Sequence, residues 1–389
     1  MEHTFSDFDL LNLDSLFSSE QKALMNQTRR FVGNELQPLV QQAYESETFP
    51  KEVIGKFASQ GLLGIQLSGY GLPGRDATSY GLVMREVERC DSGLRSFLSV
   101  HSALAMYAIH RYGSEEQKSI LLPAMGRGEK IGCFALTEPQ GGSDPSAMQV
   151  TAENRNGTWV LNGWKRWVTN APIADIAVVW AKTGEGVRGF LVPLSHAGVR
   201  VEAIKQKLSL RMSASAEVFF DQVELADDAI LPLSKGLGSA LDCLNQARYG
   251  IIWGVLGAAE ACLAETLAYT KNRMLFKRSL SSFQLTQAKL ADMFRDLTLA
   301  QLYAQRLGVI VSEKQHIPCQ ISLGKMNNVE IALRIARTCR DLLGANGILL
   351  EHNVMRHACN LETVYTYEGT HDIHRLIVGQ YLTGEQAFS

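Results

Sequence analysis

At 389 residues the chain exceeds one ordinary domain, and 46% apolar with 20% charged residues is the balance of a soluble globular protein built from two or three packed units. A formal net charge of -2 without any basic block argues against nucleic acid or an anionic membrane as partner. Seven scattered cysteines with no C-x-x-C spacing point to a reducing compartment and away from a structural zinc site. No apolar run reaches the length expected of a bilayer span. Met1 to Ser19 carries Glu2, Asp7, Asp9 and Asp14 and no arginine, unlike a secretory or transit segment, so the expected location is cytoplasmic.

Residues 1–130 read as a helical domain. Ser18-x-x-Gln21 offers a capping box before the apolar stripe of Leu24, Phe31, Val32 and Leu36. Pro50 suits a first helical position and Gly61 a stop. A long helical run is expected from Thr78 to Tyr112, with Gly113-Ser114-x-x-Gln117 ending it and capping the next. Gly69-Tyr70-Gly71-Leu72-Pro73-Gly74 spells G-x-G-x-x-G, but its helical flanks and Pro73 exclude a dinucleotide fold, leaving a loop between helices.

Residues 131–235 switch to a β pattern. Met148 to Gly163 alternates around the Asn156-Gly157 hairpin signal, and Ile176–Ala181, Gly189–Leu194 and Val218–Leu225 are β-rich. Residues 236–389 return to the helical period, with runs near Gly238–Met274, Phe283–Ser312 and Gln320–Leu343 that imply an antiparallel bundle. The expected class is α+β, in the order helical, β, helical.

Three stretches hold candidate chemistry. Thr137 to Asp144 is a strand end running into a Gly-rich loop, where Thr137 and Ser143 offer hydroxyls, although a plain β-turn would look the same. Trp167-Val168-Thr169 puts an indole beside a hydroxyl at a strand end, suited to a flat heterocycle but equally to core. Arg95 sits in an apolar helical region and must meet solvent, an anion, or Glu88 or Asp91. In Tyr367-Glu368-Gly369-Thr370-His371-Asp372-Ile373-His374 an acid lies beside aromatic rings at the entry to a last helix. Poor solvation there would raise its pKa toward a general base's range, but a capped helix start is the plainer reading. His371, Asp372 and His374 lack further metal ligands.

Taken together and in order, these blocks resemble the acyl-CoA dehydrogenase family, and within it the glutaryl-CoA dehydrogenases, its decarboxylating branch. The resemblance runs from about residue 18 to the C-terminus. It rests on the motifs above with Glu88 to Ser96, Leu210-Arg211-Met212-Ser213, Asn245 to Gly250 and Gly344-Ala345-Asn346-Gly347. It implies a helical domain, a barrel-like β domain and a four-helix bundle, assembled as a homotetramer with FAD bound. Thr137 and Ser143 would lie along the cofactor, and Trp167 and Thr169 would flank its ring. Arg273 and Gln287 would reach the FAD of a neighbouring subunit, and Gly344, Gly347, Thr370 and Asp372 would close over it.

The same resemblance implies that Glu368 removes the α-proton of an acyl-CoA. Arg95 with Ser99 would hold the distal carboxylate of glutaryl-CoA, while Glu88, Tyr367 and Arg248 complete the substrate site. The products would be crotonyl-CoA and carbon dioxide, within lysine and tryptophan degradation, with electrons passing to electron-transfer flavoprotein. Leu94, His101, Lys277 and Ala345 depart from the family pattern, which commonly has Tyr, Gln, Gly and Gly there. A short-chain acyl-CoA dehydrogenase, an oxidase or a non-enzymatic flavoprotein scaffold on the same fold are the alternatives.

Overall fold

The structure, a computed structural model, describes residues 8–387; residues 1–7 of the acidic N-terminal stretch lie outside it. Helix α1 (Ser19–Phe31) opens with the expected reciprocal capping box between Ser18 and Gln21. It runs through a π-helical turn at Val32–Leu36 into α2 (Gln37–Ser46), followed by α3 (Val53–Ser59). Pro50 is not the first residue of α3; it lies in the turn that precedes the helix. The G-x-G-x-x-G stretch is a small hairpin, β1 (Ser68–Gly69) with β2 (Leu72–Pro73), rather than a bare loop.

The expected run from Thr78 to Tyr112 divides into α4 (Ala77–Cys90), α5 (Ser92–Ser99), a π-helical segment (Val100–Met106) and α6 (Tyr107–Tyr112). Asp91 makes the first break. Its extended backbone ends α4, and its carboxylate accepts from Gly93 N to start α5. Its other oxygen takes Arg356 Nη1 at 2.6 Å, tying this corner to the C-terminal helices. Ser114 and Gln117 cap α7 (Glu115–Gly126) as the sequence indicates.

Seven strands follow: β3 (Gly132–Ala135), β4 (Thr151–Arg155), β5 (Thr158–Thr169), β6 (Ile176–Thr183), β7 (Gly186–Pro193), β8 (Val199–Ala203) and β9 (Ser215–Ala226). They form one sheet of order β3-β6-β4-β5-β9-β8, with β7 also paired to β6. Asn156 and Gly157 turn the β4–β5 hairpin, both at positive φ. The strands enclose their own apolar cluster, including Phe190, Val218 and Phe220.

The C-terminal region holds α8 (Gly236–Asn272), a hairpin of β10 (Met274–Leu275) and β11 (Arg278–Ser279), α9 (Gln284–Ser312), α10 (Pro318–Leu342), α11 (Asn353–Thr366) and α12 (His371–Thr383). Here one expectation is corrected: α8 is long and apolar enough to cross a bilayer by length and composition. Its apolar window is, however, 72% buried inside the protein. That burial explains why it is hydrophobic nearly all round.

Helix α8 packs against α4 through missing side chains. A Cβ on Gly257 would lie 1.8 Å from the Arg85 carbonyl, and one on Gly254 would lie 2.1 Å from Glu88 Oε2. Gly257→Ala must push two backbones apart, and should destabilise the protein by about 1–3 kcal/mol in thermal or denaturant unfolding.

Between the same helices lies a buried ionic cluster. Glu86 accepts from Arg29 and Arg89, while Glu260 accepts from Arg85, Arg89 and Gln301. Burial alone would raise the Glu86 carboxyl, but the guanidinium groups outweigh it and hold the group at about 2. Because its folded value lies below its ordinary one, the stability it contributes is complete above about pH 4.5 and is lost as pH falls toward 2. Glu86→Gln should therefore cost about 3–5 kcal/mol at neutral pH and flatten the acid-unfolding curve in that window.

Candidate active site

The helices of the N-terminal domain and the bundle converge on one cluster. Helix α4 carries Glu88, α5 carries Arg95 and Ser99, α8 carries Arg248, α10 carries Lys325, and the α11–α12 turn carries Tyr367 and Glu368. Tyr367 caps α11 in extended backbone and Thr370 caps α12, its hydroxyl accepting from Ile373 N. The two residues between them turn back sharply: Glu368 has φ 54° and Gly369 φ 96°. The left-handed region is unfavourable for a side chain such as Glu, by about 1–2 kcal/mol, so the surroundings must hold this turn.

They do so through charge. Arg248 Nε donates to the Glu368 carbonyl at 2.7 Å. Lys325 Nζ donates to the carbonyls of Tyr367 and Gly369, the latter at 2.7 Å. Arg95, fully buried, donates from Nε to Glu88 Oε2 at 2.6 Å and from Nη2 to the Tyr367 hydroxyl. The Ser99 side chain is buried next to the Tyr80 hydroxyl.

Four atoms of this cluster are buried with no hydrogen-bond partner among the described residues: Arg95 Nη1, Glu88 Oε1, Ser99 Oγ and Glu368 Oε2. A buried donor or acceptor left unpaired costs about 1–3 kcal/mol, more for a charged group, so the arrangement is built for a polar ligand. Burial raises the Glu368 carboxyl above its ordinary range, opposed by Arg95, Lys325 and Arg248. Burial likewise pushes the Tyr367 hydroxyl up to about 12, so it remains protonated.

The β domain presents a second set of groups toward the helices. The pairing of β5 with β9 shifts register between Lys165 and Val168, and Trp167 takes φ 59° within that bulge. The bulge leaves the Trp167 indole 52% exposed, with the Arg166 guanidinium over its ring. Three residues on, the Asn170 side chain donates to the Phe97 carbonyl of α5, which fixes this strand end relative to Arg95. The loop after Thr137 is anchored by Glu138, which accepts from Gln149 N, Val150 N and the buried Lys165 ammonium. Ser143 and Gly142 are exposed, and the space around Gly142 is open. Thr137 and Thr169 are half-buried.

The remaining sequence-derived positions lie farther out. Arg273 and Gln287 are exposed at the end of α8 and the start of α9, beside the β10–β11 hairpin, whose tip, Phe276, is 89% exposed. Phe276 and Lys277 both have positive φ, which explains why glycine is favourable after Phe276. Lys277→Gly should stabilise this turn by up to about 1 kcal/mol in unfolding experiments. Gly344, at φ 60°, starts a 3-10 turn (Gly344–Ile348), and a Cβ on Gly347 would meet the Arg340 carbonyl at 2.3 Å. Ala345 needs no left-handed backbone there. Asp372 is exposed and pairs with Arg375. Among the described residues no group of side chains could hold a metal ion.

The sequence departures at Leu94 and His101 are both buried. His101 Nδ1 accepts from Gly132 N and Nε2 meets the Met125 carbonyl, so the ring joins α7 to β3. Burial lowers its pKa to about 4, and it stays neutral. Sequence reasoning missed Lys325 and Lys165. The signal for Lys325 was present: a lone lysine on the buried face made by Ile321, Asn328, Val329 and Ala332.

Comparisons with known proteins agree with this arrangement. Family models match in three consecutive blocks: the acyl-CoA dehydrogenase N-terminal domain over residues 18–129, the middle domain over 133–223 and the C-terminal domain over 234–383. The human mitochondrial short-chain specific acyl-CoA dehydrogenase is 34% identical over 369 residues, spanning 92% of this chain and 89% of its own. A glutaryl-CoA dehydrogenase from Mycobacterium smegmatis, solved in complex with FADH2, is 48% identical, with a TM-score of 0.98 over 99% of this chain and 100% of its own. A chain in the solved structure of the electron transferring flavoprotein of Acidaminococcus fermentans is 28% identical, with a TM-score of 0.91 over 95% of this chain and 99% of its own. With all three domain models in order and full-length relatives above 30% identity, the chain belongs to the acyl-CoA dehydrogenase family.

Proposed function

We propose that this acyl-CoA dehydrogenase acts on glutaryl-CoA and releases crotonyl-CoA and carbon dioxide. The carrying observation is Arg95 Nη1, a fully buried guanidinium nitrogen without a partner among the described residues, in the same cluster as the likewise unpartnered Glu368 Oε2. A short apolar acyl chain would leave that donor unsatisfied, whereas a distal carboxylate completes it with a charge-assisted hydrogen bond. The 48% identity to the mycobacterial enzyme over nearly the whole chain supports the same reading, against 34% to the human short-chain enzyme.

As an acyl-CoA dehydrogenase the protein is an FAD oxidoreductase. The exposed Trp167 indole at its bulge, the Thr169 hydroxyl and the open backbone around Gly142 and Ser143 fit such a group. They would hold its ring and diphosphate, with Thr137 alongside. When bound, FAD supplies the two-electron acceptor for the β-hydrogen of the substrate. Glu368 takes the α-proton, its carboxylate in a site where burial favours the protonated product. Arg95 fixes the far end of the diacid, so the α-carbon is held in register with Glu368. Once the α,β double bond forms, the C–C bond to the distal carboxylate breaks. Its electron pair passes into the conjugated thioester as carbon dioxide leaves, and a returned proton gives crotonyl-CoA.

Two assembly features belong to this proposal. The exposed hairpin with Phe276, together with Leu285 at 82% exposure, suits a homotetramer in which Arg273 and Gln287 face a neighbour's cofactor. Electrons would pass on to electron-transfer flavoprotein. The reading is tested by steady-state dye reduction with glutaryl-CoA and butyryl-CoA. It expects the higher kcat/KM for glutaryl-CoA; fast butyryl-CoA turnover with none of glutaryl-CoA would sink it.

A further inference from the structure

The carbonyls of residues 367, 368 and 369 all point at cations. Lys325 takes the first and third, and Arg248 takes the second. Among the described residues neither cation has an acidic side chain as its hydrogen-bonding partner: Arg248 Nη1 meets the neutral Asn245, and Lys325 donates to the two carbonyls. Lys325 is 1% exposed, on a helix face otherwise packed into the bundle. A buried ammonium whose hydrogen bonds go to neutral carbonyls is costly for a fold to hold, so its retention here calls for a reason.

We propose that Lys325 is a positioning residue of the reaction: it clamps the turn that carries Glu368 and sets a positive charge near that base. The inference rests on the reading of Glu368 as the base. Its two hydrogen bonds span Glu368 and hold the left-handed turn that the backbone alone disfavours. Arg248 complements it from α8 by holding the middle carbonyl. Without this clamp the turn could relax toward ordinary backbone, and the carboxylate would leave the α-carbon by the kind of small displacement that costs about 10²-fold in rate.

The charge acts in the same direction. Facing the Glu368–Lys325 pair are Arg95 from α5, Glu88 from α4, Arg248 from α8, Tyr367, and His371 and His374 from α12. Burial and the neighbouring guanidiniums lower Lys325 to about 7, while burial holds His374 at about 2 and neutral. Below about pH 7 the ammonium is charged. There the ammonium opposes the burial that would otherwise keep the base protonated.

The test compares Lys325→Met and Lys325→Gln with the parent holoenzyme, using both glutaryl-CoA and butyryl-CoA across pH. Both variants should lose about 10-fold or more in kcat with KM little changed, Gln losing less because its amide still donates to one carbonyl. In both, the acid limb of kcat/KM should move up by about one pH unit, with either substrate, since the charge is gone. Folded, FAD-loaded variants with an unmoved acid limb would overturn the proposal. So would failure of both to fold, which would assign Lys325 to the bundle instead of the reaction. Glu368→Gln is run alongside: if it remains active, the reading of the base has failed, and that outcome is distinct from either result at Lys325.

Discussion

Glu368→Gln is expected to reduce kcat by about 10²–10⁴-fold with every acyl-CoA substrate while leaving FAD content and thermal stability nearly unchanged. The substitution preserves shape, and the groups that hold the turn all act on main-chain carbonyls, so the backbone has no cause to move. Only the capacity to accept a proton is removed. The parent protein should show the complementary behaviour in its pH profile. The carboxyl is raised by burial, so kcat/KM should fall on the acid side at a higher pH than an exposed glutamate would give. Below that pH the group is already protonated and cannot accept a second proton. An unchanged rate in the variant would instead show that Glu368 is not the base.

Arg95→Met is expected to lower kcat/KM for glutaryl-CoA by about 10²-fold more than for butyryl-CoA, equivalent to about 3 kcal/mol. The comparison between substrates matters because the substitution also injures the fold. Glu88 loses its partner at 2.6 Å in a fully buried site, which costs several kcal/mol whichever substrate is offered. That loss affects both substrates alike and cancels in the ratio. What survives is the interaction between the Nη1 position and a distal carboxylate. Equal losses for the two substrates would show that Arg95 serves only the Glu88–Tyr367 network.

The three-part order of the fold was legible because the hydrophobic period changes sharply near residues 131 and 235. The capping boxes at Ser18 and Ser114 and the Asn156-Gly157 turn are local signals, and each forms as its residues indicate. The break at Asp91 was less visible, because an acid inside an apolar run can cap a new helix only when something remote, here Arg356, neutralises it. Apolar α8 was underestimated for the opposite reason: glycines at 250, 254 and 257 interrupt its sequence pattern, while in space they allow α4 to approach.

At the site, the motifs around Arg95, Trp167 and Glu368 were readable as blocks, but their functional status was not. An arginine paired with Glu88 was the plain alternative, and that pair does form; it engages one edge of the guanidinium and leaves Nη1 open. Whether a nitrogen remains unpaired is a property of packing and leaves no mark in sequence spacing. Lys325 was missed because its partners are main-chain carbonyls more than 40 residues away, which carry no residue-type signal. Arg248 was expected at the substrate; in the structure its Nε donates to the carbonyl of Glu368, a contact that spacing does not reveal.

The most direct measurement of the central claim is the carbon dioxide released per pair of electrons delivered to a dye acceptor when the purified protein turns over glutaryl-CoA. The proposed reaction predicts one carbon dioxide for each two-electron reduction, with crotonyl-CoA as the organic product. Dye reduction that yields the five-carbon unsaturated diacid thioester and no carbon dioxide would contradict it.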